Sequence, residues 1–122
     1  MREHKYRAWN KETCSFLTWD TSMGFAGTDA VWGPIEEFTG LHDRNGREIY
    51  EGDFLQRRWF AMPGFPNPEL EGKVVETAAI EWDDEELFFR FGTGNIGVYN
   101  AYGCMRNFEV IGNIHENTEL LK

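Results

Sequence analysis

Apolar and polar residues alternate with period two in short runs along the chain, and no stretch sustains a helical period of 3.6. Residues 4–10 and 14–19 each read as a strand, with Tyr6 and Ala8 on one face of the first and Leu17 and Trp19 on one face of the second. Lys11-Glu12-Thr13 joins them as a hairpin. Residues 21–34 read as a loop broken by Gly24, Gly27, Gly33 and Pro34. Residues 35–39 then lead into a second hairpin with Asn45-Gly46 at its tip. Asn-Gly predicts a type I′ turn, because both central residues of that turn need positive φ. Asp43 can reinforce it by accepting backbone amides two residues on. Ile49-Tyr50 suits a short returning strand, and Glu51-Gly52-Asp53 bends the chain again, with Gly52 supplying the unusual dihedral.

Residues 53–60 form a strand of mixed pattern, followed by a loop over 61–72 that holds Pro63, Pro66 and Pro68. Over 73–82, Val74, Ala78, Ile80 and Trp82 share a face on which Glu76 is the exception. Asp83-Asp84-Glu85-Glu86 makes an acidic turn, and Leu87, Phe89 and Phe91 alternate in the returning strand. A Gly-rich loop over 92–97 precedes a short helical turn over 98–103. Phe108, Val110, Gly112 and Ile114 alternate in a last strand, and Asn117 can cap a final helical turn ending at Leu121. Seven or eight short, closely spaced strands predict a small β-barrel or sandwich.

At 122 residues the chain is long enough for one domain whose core needs no covalent staples. Ten Phe and five Trp exclude global disorder. Two cysteines, Cys14 and Cys104, make no disulfide framework, and both are expected as small buried hydrophobes. The first residues show no apolar signal region, and no apolar run reaches the roughly twenty residues that span a bilayer. A cytoplasmic location with no membrane contact is therefore expected. Twelve basic residues against 21 acidic ones give a net charge of −9, which opposes non-specific binding to nucleic-acid phosphates. The local basic groups Arg2, Lys5, Arg7 and Lys11, and Arg44 with Arg47, read as a solvated face.

Four segments together carry a family resemblance. They are Arg2-Glu3-His4-Lys5-Tyr6-Arg7-Ala8-Trp9-Asn10-Lys11, the Thr-Gly-Leu … Asn-Gly … Glu-Gly-Asp block from Phe38 to Leu55, Ile80-Glu81-Trp82-Asp83-Asp84, and Glu109-Val110-Ile111-Gly112-Asn113-Ile114-His115-Glu116-Asn117. In this order they resemble the YopX-like proteins of bacteriophages and prophages. The resemblance implies a mainly β fold in which residues 51–122 form a small SH3-like β-barrel. Residues 1–50 would be an N-terminal β-hairpin region with a hairpin linker, packed on the barrel as a single compact unit. It further implies a phage or prophage source and action in the bacterial cytoplasm, and it supplies no catalytic residues. Thr118 departs from the family's usual Pro, and the 61–72 insert has no counterpart.

Candidate chemistry is sparse. His4, His42 and His115 are scattered, and neither cysteine lies in a Cys-x-x-Cys, so no zinc site and no cysteine nucleophile is assigned. Asp43, Asn45 and Glu48 lack the ligand pattern of a calcium loop, and Gly92-x-Gly94 with Gly97 is too sparse for a dinucleotide fingerprint. No metal, cofactor or catalytic residue is expected. Glu81, Asp83, Asp84, Glu85 and Glu86 surround Trp82, either as a solvated turn that discourages edge-to-edge pairing or as an acidic partner surface. Trp32, Trp59, Phe60, Phe65 and Tyr99 fall in or beside loops, where aromatic side chains anchor interfaces. The sequence thus points to a non-enzymatic, oligomeric binding protein that meets a host protein through Trp59, Phe60, Phe65, Trp82, Asp83 and Asp84. The alternative is nucleic-acid or small-nucleotide binding on the barrel through Arg57, Arg58, Arg90 and Arg106.

Overall fold

Two antiparallel sheets make up the fold in a computed structural model that describes residues 4–20, 31–60, 64, 68–92, 94–101, 103 and 105–117. The first has the order β2-β1-β3-β4, with β1 Lys5–Asn10, β2 Ser15–Asp20, β3 Glu36–His42 and β4 Glu48–Tyr50. The second has the order β8-β7-β6-β5-β9, with β5 Asp53–Arg58, β6 Val74–Asp83, β7 Phe88–Phe91, β8 Gly94–Asn95 and β9 Phe108–Asn113. A short helix, α1 (Ile96–Ala101), and a 3-10 turn at Met105–Asn107 lie between β8 and β9. The protein is mainly β, and the second sheet curls into a half-barrel.

The curl comes from β6, which changes partner along its length. Its first part pairs with β5 as far as Ala79, and its last four residues pair with β7 from Ile80↔Phe91 to Asp83↔Phe88. A strand shared in this way must bend and twist, wrapping the sheet around its apolar face. That face holds Leu55, Ile80, Phe89, Phe91, Phe108 and Val110, with Ile49 joining from the first sheet and Ile96 from α1. Tyr99 belongs to this packing, since its ring meets Phe108 and Phe91 edge-on at 5.1 and 6.4 Å. Glu76, the exception to the apolar face of β6, lies 3.9 Å from Arg57 and packs against Gly92, where a Cβ would sit 2.1 Å from its carboxylate.

Three tight connections share one design. Asn10, Asp83 and Asn113 each present Oδ1 to the backbone amides two and three residues on, at 2.9–3.1 Å. In each, the backbone carbonyl accepts the amide four residues on. Side-chain acceptors of this kind replace a backbone turn. In the first two turns the fifth residue, Cys14 (φ 53) or Leu87 (φ 59), takes left-handed backbone. Leu87 therefore closes the turn instead of opening the returning strand, and β7 starts at Phe88. Cys14 is exposed, not buried, for the same reason.

The β3–β4 turn also differs from expectation. Gly46 has positive φ (80) and Asn45 does not, so the turn is not type I′. The Gly46 amide donates to the Asp43 carbonyl at 3.0 Å, a type I-like turn with Gly in fourth place. The Asp43 carboxylate imposes this wider loop, because Oδ1 accepts the amides of Asn45 and Arg47, each at 2.9 Å. Its Oδ2 accepts the Val110 amide at 2.9 Å, and the Arg44 amide donates to the Phe108 carbonyl at 2.9 Å. The hairpin tip thus closes the free edge of β9. Within β3, Thr39 and Gly40 (φ 86) form a bulge, with Thr39 Oγ1 donating to the Ile49 carbonyl at 2.8 Å.

Two further boundaries move. The register slips between Phe54↔Gly112 and Leu55↔Val110, so Ile111 is an extra residue and the alternation of the last strand stops at Val110. The helix begins at Ile96, ahead of residue 98, because Asn95 Oδ1 accepts the Gly97 amide at 2.7 Å. The final helical turn after Asn117, Cys104, Phe65, most of the 21–34 loop and half of the 61–72 loop lie outside the described residues.

Candidate functional site

An ionic network fills the seam between the sheets. Arg7 on β1 is buried between the rings of Phe16 and Tyr50, its guanidinium carbon 4.0 and 4.8 Å from their centroids. Its Nε donates to Glu36 Oε1 at 2.9 Å and its Nη2 donates to the Glu51 carbonyl at 3.1 Å. The same Nη2 stands 2.8 Å from Asp53 Oδ1, a charge contact without a directed hydrogen bond. Glu36 Oε2 lies 3.0 Å from His115 Nε2, and the His115 ring stacks on Trp9 at 5.3 Å and 9°. Burial outweighs the Arg7 charge and pushes the Asp53 carboxyl above its ordinary value. Gly52 (φ +89) makes room for the network, since a Cβ there would stand 2.3 Å from Glu36 Oε2.

In front of the network opens a groove of about 450 Å³. Ile35, Ile114 and Trp82 give it apolar walls, and Glu36, Glu51, Glu81 and His115 give it polar ones. Its size falls in the range of ligand pockets. Glu36 is balanced by Arg7. Glu51 is not: burial first, then the charges of Glu36 and Glu37, push its carboxyl up, against the backbone amides of Glu37 and Trp82. Among the described residues no Lys or Arg forms an ion pair with Glu51.

Trp82 is also a wall of a second concavity of about 220 Å³, shared with Leu41, Leu87, Phe89 and Ile96. The Trp82 ring, 37% exposed, meets Phe89 edge-on at 4.9 Å. Leu87 beside it is 70% exposed. Glu81, Asp84, Glu85 and Glu86 stand exposed around this pair. The result is one continuous face, from Ile35 over Trp82 to Leu87, with an apolar middle and an acidic rim. Among the described residues no three His, Cys, Asp or Glu side chains are grouped to hold a metal ion, and no helix is long and apolar enough to cross a membrane.

The YopX protein family matches residues 21–122. The chain belongs to the YopX family. The opening strand, Lys5–Asn10, lies ahead of the matched span. The chain is similar over its whole length, and over the whole of the other chain, to the crystal structure of protein EF1440 from Enterococcus faecalis, at 25% identity and a TM-score of 0.61. No curated protein sequence matches it significantly.

In this YopX protein the sequence-predicted residues occupy different places. Trp82, Asp83 and Asp84 come together at the end of β6, but Asp83 is engaged in its own turn. The amides of Glu86 and Glu85 and the Arg90 guanidinium hold its carboxyl below the usual range. Trp59 and Phe60 are half-buried beyond β5, with the Arg44 guanidinium carbon 5.2 Å from the Phe60 ring centroid. Among the arginines, Arg57 faces Glu76 and the Tyr99 ring, Arg58 donates to the Gly72 carbonyl at 2.7 Å, Arg90 pairs with Asp83, and Arg106 is exposed. Three of the four thus have intramolecular partners, at separate points. Sequence reasoning missed Glu36, Glu51 and His115, which the fold gathers from three distant segments; Glu-Gly-Asp was the sole signal, and it reads as a turn.

Tyr50 offers a direct check on the seam. Burial, then the Glu48 charge and a hydrogen bond to it, raise the phenol from 10 to about 12. A raised acid favours the folded state while it is protonated, so this stabilisation is complete below pH 10 and disappears as pH rises towards 12. An alkaline titration followed by phenolate absorbance should show a late-ionising tyrosine whose step is missing in Tyr50→Phe. Absence of any tyrosine ionising late would contradict the packing described.

Proposed function

We propose that this YopX-family protein is a non-enzymatic, phage- or prophage-encoded accessory protein of the bacterial cytoplasm, and that it works by binding a host protein. The observation that carries this reading is the face centred on Trp82. A half-exposed Trp shared by two concavities, with an outstanding Leu87 and an acidic rim, has the composition of an interface centre with a polar edge. Leu87 sharpens the argument: left-handed backbone costs a Leu about 1–2 kcal/mol, and at 70% exposure little packing inside the chain offsets it. Copies of the chain are expected to associate as well, since Leu17, Ile35, Val74, Val75 and Val98 also present apolar surface.

Tagged protein in bacterial lysate at moderate salt, with bound proteins identified by mass spectrometry, tests the reading. The wild type should retain one stoichiometric companion. Trp82→Ala with Leu87→Ser should weaken its capture by roughly thirtyfold or more, the effect of a central anchor, while circular dichroism remains native. Capture indifferent to both substitutions, or an empty column, would refute it.

A further inference from the structure

The groove beside Trp82 has a chemistry that narrows what the partner presents. Three glutamates contribute to its walls, and among the described residues only Glu36 pairs with a Lys or Arg, which is Arg7. Glu51 is half-buried at the groove among like charges, and among the described residues no Lys or Arg pairs with its carboxylate. Such a partly desolvated carboxylate is relieved by taking up a proton or by a positive charge that arrives from outside. Its apolar walls include Ile35, Ile114 and Trp82, surfaces suited to an aliphatic stem and to the face of a cation. Glu81 is exposed at the same groove and adds negative potential along the approach.

From charge complementarity and shape we infer that the groove receives a lysine or arginine side chain projecting from the partner protein, its cationic head at Glu51 and its stem along Ile35 and Trp82. This deepens the host-protein reading and rests on it. The apolar anchor at Leu87 gives area, and the groove gives charge specificity, so the partner's contact surface is basic and apolar together. The protein's net charge of −9 favours the encounter.

The probes are Nα-acetyl-L-arginine amide and Nα-acetyl-L-lysine amide, with the norleucine analogue as the uncharged control, titrated into the full ¹⁵N-labelled chain. Saturable shifts are expected at the amides of Gly52, Trp82 and His115 with both basic probes and not with norleucine. Glu51→Gln should weaken binding about tenfold with the spectrum otherwise native; should that variant not fold, Glu81→Gln reads the same charge dependence from an exposed position. Equal binding of norleucine would make the groove a merely apolar slot and overturn the inference. So would no saturation, or unchanged affinity in Glu51→Gln. Much tighter binding of free L-arginine than of its blocked form would assign the groove to a small molecule and overturn it too. Leu87→Ser separates the two proposals, because Leu87 does not line this groove. Capture lost in Leu87→Ser but intact in Glu51→Gln removes the basic side chain and leaves the docking face. Probe binding without any captured companion removes the host protein and leaves the groove chemistry.

Discussion

Arg7→Met should lower the stability of this protein by about 3–5 kcal/mol, because it strips the cation from a buried network and leaves its carboxylates behind. Glu36 and Asp53 are each buried, and Arg7 is the basic side chain that contacts both. Methionine replaces the stem between the Phe16 and Tyr50 rings, so the loss isolates charge more than volume. For a domain of this length the loss corresponds to roughly 10–20 °C in the melting temperature. Adding Glu36→Gln and Asp53→Asn to the same chain should restore much of it, since the penalty comes from orphaned charge and not from the missing pair itself. Thermal melts of the single and triple variants at neutral pH decide the matter. A single variant that melts within a few degrees of wild type would mean that water reaches the seam and solvates the carboxylates.

That network marks the boundary of what the sequence could tell. The strands were legible because alternation is local: Tyr6 with Ala8, or Phe89 with Phe91, reports its own pleat. Even there Arg7 and Trp9, on the face opposite Ala8, are buried as well, and a charged residue in a short strand reads as solvent-facing. Its partner Glu36 is 29 positions away, and His115 lies 79 beyond Glu36. No window of local periodicity spans such distances, so neither the network nor the groove before it could be assembled from the chain. Turns failed in a different way. Asn45-Gly46 is a strong two-residue signal, but the buried carboxylate of Asp43 has three amides to satisfy and sets a wider loop. Leu87 continues a period-two pattern in sequence while serving as the left-handed closing residue of the Asp83 turn. The turn chemistry of Asn10, Asp83 and Asn113 was readable in kind, since all three are side chains that substitute for a backbone acceptor. Trp82 with Asp83 and Asp84 reads as a partner surface on composition alone. The structure adds the concavities on either side of Trp82, and Leu87 beside them.

Asp43→Ala is the second large effect, expected at about 3–4 kcal/mol. The carboxylate accepts three backbone amides, those of Asn45, Arg47 and Val110, each at 2.9 Å. Hydrogen bonds to a charged acceptor contribute roughly 1.5–3 kcal/mol each, and the loss is greatest where the donor cannot turn to water. The amides of Asn45 and Arg47 lie in an exposed turn and can be solvated. The Val110 amide is buried and joins positions 67 residues apart, so its loss both orphans a donor and unfastens the hairpin tip from β9. Asp43→Asn separates these contributions. An asparagine can turn its oxygen to the turn amides or to Val110, but its NH₂ must then face a donor on the other side. It should recover less than half of the alanine deficit. Urea midpoints give the size of both losses, and hydrogen exchange locates them. The Val110 amide should exchange on the order of a hundredfold faster in Asp43→Ala, while amides of the β1–β2 hairpin follow only the global change. If Val110 stays protected while the protein is destabilised, Asp43 acts as the cap of its turn alone, and the edge of β9 is held by the Arg44 amide and the Phe108 carbonyl.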